Sequence, residues 1–219
     1  MRARLSSATV AAALLVAAPA CFAQGGADAL PPGSSANAPG WDIAATAMYY
    51  SVPDQSNFIL GVVTAERGQL HLEARFNYEA LDTGSVFAGW KFSGGDALTY
   101  AFTPILGAVF GAKRGIAPGF EASLAYGAVD FYTEAEYVHD LKANGDSFTY
   151  AWSELGVSPV KWLRFGLVGQ RTRLYQSNRD IQRGGFAQLI FGKLTLGVYV
   201  FNPDDSANRL VIGSLVAKF

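Results

Sequence analysis

The alternation of apolar and polar side chains constrains the fold of this chain more than any other feature. Between Gln69 and Ala80 two sets of residues interleave, namely Leu70, Leu72, Ala74, Phe76 and Tyr78 with His71, Glu73, Arg75, Asn77 and Glu79. A period of two residues places successive side chains on opposite faces of a β-strand. The segment is therefore predicted to be a strand with one apolar and one charged face.

The same alternation recurs along most of the chain. Asp130, Glu134 and Glu136 alternate with apolar residues, as does Arg164. Clusters of Gly, Pro, Asn and Asp mark the turns between segments. This pattern predicts twelve strands, approximately 41–51, 57–66, 69–80, 85–93, 97–111, 119–126, 128–139, 147–157, 161–174, 183–191, 194–201 and 209–219.

The links between these strands differ in length according to their order. Even-numbered strands are followed by short links such as Arg67-Gly68, and odd-numbered strands by longer ones such as 140–146. Transmembrane β-barrels have tight periplasmic turns and longer outer loops. The links after odd-numbered strands are therefore predicted to face the outside.

The first 40 residues differ in composition from the rest. Arg2 and Arg4 precede an apolar stretch from Val10 to Ala18, which is too short to span a membrane and is typical of a secretory signal. Cleavage is predicted after Ala23, so that 1–23 is a signal peptide, 24–40 a flexible leader and 41–219 the folded body. A lipoprotein signal with a lipidated Cys21 is the alternative.

The signal peptide, the alternation, the ordered link lengths and the terminal Phe219 together resemble bacterial outer-membrane β-barrels of Gram-negative cells. The resemblance implies an all-β fold, a closed antiparallel transmembrane barrel of about twelve strands, with ten or fourteen as alternatives. It also implies outer-membrane lipid and lipopolysaccharide as surroundings, and Phe219 as an assembly signal read by the barrel-assembly machinery.

Closure follows from the physics of the bilayer, because lipid offers no hydrogen-bond partner to an open sheet edge. The apolar faces then point outward and the charged faces inward. Aromatic residues near predicted strand ends are expected to form interfacial girdles, and they include Trp41, Tyr49, Tyr50, Phe58, Phe76, Tyr78, Trp90, Phe92, Tyr137, Phe148, Tyr150, Trp152, Trp162 and Phe219. A soluble two-layer β protein or a lipocalin-like barrel is the alternative.

The inward faces supply the candidate functional residues. The predicted lumen-lining residues are His71, Glu73, Arg75, Glu79, Lys91, Asp130, Glu134, Glu136, Glu154 and Arg164. Charges in such a setting must be paired or hydrated. They form either a salt-bridge ladder that stiffens the barrel or a water-filled constriction that selects solutes.

Two residues conflict with simple alternation. Glu154 follows Phe148, Tyr150 and Trp152 in the outward register, so a bulge after Trp152 is predicted, with inward-pointing aromatics as the alternative. Pro104 cannot donate to a strand ladder, so a kink or bulge is predicted there.

A basic cluster is predicted on the outer rim, where it meets lipopolysaccharide phosphates or pairs with loop acids. It consists of Lys113, Arg114, Arg171, Arg173, Arg179 and Arg183. The formal net charge of −1 makes nucleic acid an unsuitable partner.

Enzymatic function is not favoured, because His71 and His139 are the only imidazole bases and neither has a serine partner in a known pattern. Sequence motifs that bind metals, phosphates or dinucleotides are absent, so no metal or cofactor is predicted.

The sequence therefore predicts a narrow porin-like channel for small solutes. The alternatives are a closed barrel whose loops bind a surface partner, such as lipopolysaccharide or exopolysaccharide, and an outer-membrane hydrolase.

Overall fold

The computed structural model describes residues 40–53, 56–142, 147–171 and 181–219. The predicted signal peptide, Cys21 and all of the predicted leader except Gly40 lie outside these residues. The strands are β1 (Asp42–Ser51), β2 (Phe58–Arg67), β3 (Leu70–Phe76), β4 (Thr83–Trp90), β5 (Phe92–Gly94), β6 (Leu98–Gly111), β7 (Gly115–Tyr126), β8 (Val129–Asp140), β9 (Phe148–Val160), β10 (Leu163–Arg171), β11 (Ile181–Phe191), β12 (Leu194–Phe201) and β13 (Leu210–Lys218).

These strands form one closed antiparallel barrel. Consecutive strands pair with each other except β4 and β5, and β1 also pairs with β13, from Ala44 opposite Lys218 to Ser51 opposite Val211. Because β4 and β5 both pair with β6, they are two segments of one barrel strand. The predicted twelve-stranded barrel is confirmed.

The two ends of the barrel have different connections. At the short-turn end, β2–β3, β5–β6, β7–β8, β9–β10 and β11–β12 are joined by two or three residues. Gly127 and Gly192 there have φ of 60°, a left-handed conformation that tight hairpin turns require and that glycine adopts without strain. The remaining links are at the opposite end, called the long-loop end.

The outer surface is apolar, as a barrel in lipid requires. Leu106, Leu167 and Leu196 are among its exposed aliphatic side chains. Exposed aromatic residues lie toward both ends, with Trp41, Trp90, Tyr126, Trp162, Phe191 and Phe219 at the short-turn end and Tyr49, Phe76, Phe110 and Tyr137 at the long-loop end. No helix within the described residues is long and apolar enough to cross a membrane.

Part of the girdle prediction is wrong. Tyr50, Tyr78, Phe148, Tyr150 and Trp152 are buried inside the barrel. The β8–β9 register is constant from Val129 opposite Val157 to Val138 opposite Phe148. The predicted bulge after Trp152 is therefore absent, and Glu154 faces inward because its aromatic neighbours do so too.

The predicted bulge at Pro104 is also absent, because the register of β6 with β7 does not shift there. Pro104 points outward, and the residues around it keep the ordinary alternation. On the opposite edge of β6, pairing with β4 ends at Gly89 and pairing with β5 begins at Phe92. The interruption fits the missing N–H of proline.

Two strand boundaries differ from prediction by four residues. β3 ends at Phe76 rather than at residue 80, because Asn77 adopts a φ of 56° and accepts a hydrogen bond from the backbone N–H of Asp82. β7 begins at Gly115 rather than at residue 119, because Pro118 lies within the strand and not in a turn. The β6–β7 link is consequently three residues long, which is short for its end of the barrel.

Candidate functional site

The lumen contains two apolar clusters. The larger one lies mainly along β1, β2, β9, β12 and β13 and includes Met48, Leu60, Trp152, Tyr199 and Ile212. The smaller one contains Phe87, Ile105, Val109, Ala117, Val138 and Phe148. Polar side chains fill the remaining space and are organised into two networks.

The first network, called the charged column, runs along β2, β3, β4, β7 and β8. It consists of Glu66, His71, Glu73, Arg75, Glu79, Lys91, Glu121, Glu134 and Glu136. Near the short-turn end, Lys91 Nζ lies 2.5 Å from Glu66 Oε2, and Glu66 Oε1 lies 3.0 Å from His71 Nδ1. His71 Nε2 is 3.6 Å from Glu73 Oε2 and 4.0 Å from Glu121 Oε1. Glu66 and Glu121 were not among the sequence candidates.

Arg75 continues the charged column toward the long-loop end. Its Nη2 donates to Glu73 Oε2 at 2.9 Å, and its Nη1 donates to Glu136 Oε2 at 3.0 Å and lies 3.9 Å from Glu79 Oε1. The guanidinium also lies over the Tyr78 ring, with 4.2 Å between its Cζ and the ring centroid. Contacts therefore link Lys91 near one end of the barrel to Glu79 near the other.

Glu79 belongs to the β3–β4 link, which folds into the lumen. The link is held by Asn77 Nδ2, which donates to the Ile59 carbonyl at 2.9 Å, and by a hydrogen bond from Thr83 Oγ1 to the Ala80 carbonyl. Ser85 Oγ donates to Glu79 Oε1 at 2.5 Å. Burial raises the pKa of the Glu79 carboxyl, and the nearby Arg75 charge opposes this shift without cancelling it.

The charged column contains more carboxylates than cations. Six glutamates face Arg75, Lys91 and the imidazole of His71, and all six are at most 6% exposed. The buried atoms without a hydrogen-bond partner within the described residues include Glu73 Oε1, Glu79 Oε2, both oxygens of Glu121, Glu134 Oε1, Glu136 Oε1 and His71 Nε2. Glu121 and Glu134 are direct cross-strand neighbours. Like charges placed in this way repel each other.

The second network, called the Arg164 cluster, is fully paired. Arg164 Nε lies 3.1 Å from both oxygens of Asp130, and its Nη1 donates to Glu154 Oε2 at 2.5 Å and to Gln188 Oε1 at 3.1 Å. Trp152 Nε1 donates to Glu154 Oε1 at 3.0 Å. None of the buried side-chain atoms of these residues is without a partner in the described part of the chain.

All ten residues predicted to line the lumen point into it. Nine of them are at most 6% exposed, and Lys91 is half-buried. Glu66 and Glu121 were missed because each lies in a mostly apolar segment, Glu66 beside Arg67 and Glu121 as the single charged residue. Strict alternation with outward Phe120 and Leu124 was the available signal for Glu121.

Side chains fill the lumen in this conformation. Large residues lie over inward glycines, so that a Cβ on Gly107 would collide with the Phe87 ring and a Cβ on Gly156 would come within 2.5 Å of Arg164 Nε. Small barrels commonly combine small and large residues in this way. A wide open pore would leave its lining residues exposed, and these are not.

The predicted basic cluster on the rim is only partly within the described residues, since Arg173 and Arg179 lie outside them. Arg114, Arg171 and Arg183 are exposed at the long-loop end. Arg183 Nη2 lies 3.8 Å from Asp204 Oδ2, and Lys113 Nζ lies 3.2 Å from Asp140 Oδ2. Pairs with loop acids therefore account for two of the four basic residues that the structure describes, Lys113 and Arg183.

His139 has a serine neighbour, as the hydrolase alternative would require. Its Nδ1 lies 3.3 Å from Ser147 Oγ, and its ring stacks on Tyr137. Ser147 Oγ also accepts a hydrogen bond from the Asp140 backbone N–H. His139 and Tyr137 are exposed on the outer face, and within the described residues no carboxylate is hydrogen-bonded to His139, as a catalytic triad would require.

Comparison with known proteins identifies the fold only. No protein-family model matches the chain, and no curated protein matches its sequence. A solved structure of the KdgM porin in complex with disordered oligogalacturonate is similar over 80% of this chain and 99% of that one, with a TM-score of 0.60 and 9% identity. The structure of the Acinetobacter baumannii outer-membrane protein Omp33 is similar over 83% of this chain and 99% of that one, with a TM-score of 0.46 and 10% identity. The chain has the fold of a bacterial outer-membrane barrel.

Proposed function

We propose that this protein is a narrow passive channel for small solutes that prefers cations. The observation that carries the proposal is the charged column, a chain of polar contacts along the lumen from Lys91 to Glu79. Solutes crossing a constriction respond to the sign of its lining charges. The surplus of glutamates makes this path attractive to cations and repulsive to anions.

The proposed solute differs from oligogalacturonate, the compound named in the KdgM porin complex. Oligogalacturonate is polyanionic, whereas the charged column presents six carboxylates. An acidic lumen of this kind disfavours acidic oligosaccharides. Because the lining side chains are buried, passage requires them to move aside, and the single-channel conductance is expected to be small.

The test is single-channel recording of the refolded protein in a planar bilayer with a salt gradient. The wild type is expected to give discrete small steps and a reversal potential of cation-selective sign. Glu134→Gln combined with Glu136→Gln is expected to shift that potential toward anion selectivity. Asp96→Asn, an exposed change in the β5–β6 turn, is the control and is expected to leave the potential nearly unchanged.

The absence of steps, or an unchanged reversal potential in the double variant, would contradict the proposal. The second candidate function would then be a closed barrel whose long loops bind a surface partner. The observation favouring it is the burial of the inward side chains, which include Trp152 and Tyr199 at 0% exposure.

The orientation of the barrel is a separate part of the proposal. With the long-loop end outside, a cysteine replacing exposed Ser206 is expected to react with an impermeant reagent on intact cells. A cysteine replacing Asp96 at the short-turn end is expected to react only after the outer membrane is disrupted. The reverse labelling pattern would invert the assignment.

A further inference from the structure

One part of the charged column has the composition of a metal site. His71, Glu73 and Glu121 each offer a ligand atom, and these atoms all lie within 4.8 Å of one another. The distances from His71 Nε2 are 3.6 Å to Glu73 Oε2 and 4.0 Å to Glu121 Oε1. Ligands of a tetrahedral zinc ion lie about 3.3 Å apart, so a closure of at most about 1.5 Å would bring these atoms onto one ion.

Two of these three atoms, His71 Nε2 and Glu121 Oε1, have no hydrogen-bond partner within the described residues. His71 is 0% exposed and its Nε2 makes no hydrogen bond, and Glu121 is 2% exposed with neither carboxylate oxygen hydrogen-bonded. Glu73 directs Oε2 to Arg75 and leaves Oε1 without a partner. A buried ionised carboxylate without a partner is costly. Glu121 is such a carboxylate, and a cation bound between it, Glu73 and His71 would stabilise it.

A second layer of contacts orients the histidine. Glu66 Oε1 lies 3.0 Å from His71 Nδ1, and Lys91 Nζ lies 2.5 Å from Glu66 Oε2. A carboxylate that accepts the Nδ1 proton leaves the Nε2 lone pair available to a metal, and metal-binding histidines commonly have such a partner. The imidazole is therefore held with its free nitrogen toward Glu73 and Glu121.

We propose that His71, Glu73 and Glu121 bind one divalent cation of the Zn²⁺ type inside the lumen. An imidazole together with two carboxylates suits zinc and its transition-metal neighbours better than Ca²⁺ or Mg²⁺, which favour oxygen-only ligand sets. One such ion removes two units from the negative surplus of the charged column. The ligands come from β3 and β7, which are too far apart in the sequence to form a spacing motif.

The experiment measures Zn²⁺ directly in the whole barrel. The protein is refolded with Zn²⁺ or with EDTA, freed of unbound ion, and its zinc content and affinity are measured by elemental analysis and by competition with a chromophoric chelator. The wild type is expected to retain one ion per barrel and to melt at a higher temperature with Zn²⁺ than with EDTA. Ca²⁺ is expected to give no comparable shift.

Variants distinguish direct binding of Zn²⁺ by these residues from nonspecific attraction of Zn²⁺ to the acidic lumen. His71→Gln and Glu121→Gln are each expected to weaken Zn²⁺ binding at least about 100-fold, and Glu66→Gln about 10-fold as a loss of histidine orientation. Glu79→Gln, the same chemical change elsewhere in the charged column, is the matched control and is expected to alter affinity less than about 3-fold.

No retained zinc in the wild type, or equal zinc retention by His71→Gln and the wild type, would overturn the metal site. An equal loss in Glu79→Gln and Glu121→Gln would overturn it as well, because it would indicate diffuse attraction by the acidic lumen. Zinc retention is measured without reference to conductance. Failure of the metal site and failure of the channel are therefore distinguishable.

Discussion

The Arg164 cluster and the charged column occupy the same lumen but satisfy their charges differently. Arg164 faces two carboxylates, and amide and indole groups complete the hydrogen bonds. The charged column holds six carboxylates, five of which retain a buried oxygen without a partner in the described structure. Both networks are buried, so solvent exposure does not explain the difference.

The difference separates a structural role from a functional one. A buried ion pair is costly to break once every atom is paired, whereas an incompletely paired network retains a capacity to bind. The Arg164 cluster is therefore interpreted as a tie between β8, β9, β10 and β11. The charged column is interpreted as the part of the lumen that interacts with ions.

The largest effect is expected for Arg164→Leu, which leaves Asp130 and Glu154 buried without their cation. The free energy of unfolding should fall by about 3–5 kcal/mol. Urea unfolding of the refolded barrel, followed by tryptophan fluorescence and heat-modifiable gel mobility, measures this loss. A change below about 1 kcal/mol would show that the cluster does not stabilise the barrel.

Glu154→Gln is expected to cost about 2–3 kcal/mol in the same assay. The amide keeps the size of the side chain but loses the charge-assisted hydrogen bond from Arg164 Nη1. A neutral result would mean that Asp130 alone satisfies Arg164.

Trp152→Phe should cost about 1–2 kcal/mol, because it removes the Nε1 donor to Glu154 Oε1 and leaves a small cavity. Since the indole is 0% exposed, solvent cannot replace the donor. Trp162→Phe, an exposed change on the outer surface, is the control for the altered fluorescence.

The smallest effect, and one of opposite sign, is expected for Glu121→Gln in the charged column with EDTA present. Neutralising Glu121 removes its repulsion with Glu134, so the free energy of unfolding should rise by up to about 1 kcal/mol. The same glutamate-to-glutamine change thus has opposite effects in the two networks. Destabilisation as large as that of Glu154→Gln would abolish the contrast between them.

Most of the fold could be predicted from the sequence, because alternation and turn glycines are local signals. The strand holding Leu70 and His71 alternates as strictly in the barrel as in the sequence. Errors arose where tertiary contacts override local pattern. β3 ends at Phe76 because Asn77 adopts a φ of 56° and hydrogen-bonds the following link and the Ile59 carbonyl. Trp152 faces inward because Glu154 offers its indole a partner.

The candidate site was predictable residue by residue but not as a set of contacts. Alternation indicates that Glu73 and Arg75 face inward, and it contains no information about which distant strand they meet. The contact of Arg75 with Glu136, and that of His71 with Glu121, depend on how β3 lies relative to β7 and β8 in the closed barrel. Glu121, a single charge among small and apolar neighbours, was indicated only by its alternation with Phe120 and Leu124.

The pairing of β1 with β13 also determines the order in which the barrel can form. All other neighbouring strands are consecutive segments of the chain, whereas Ser51 must find Val211 across nearly the whole folded sequence. Closing so long a loop has a high entropic cost and is intrinsically slow. Until it closes, β1 and β13 have unpaired edges that can join other strands and aggregate. Folding yield should therefore be most sensitive to substitutions along this pairing.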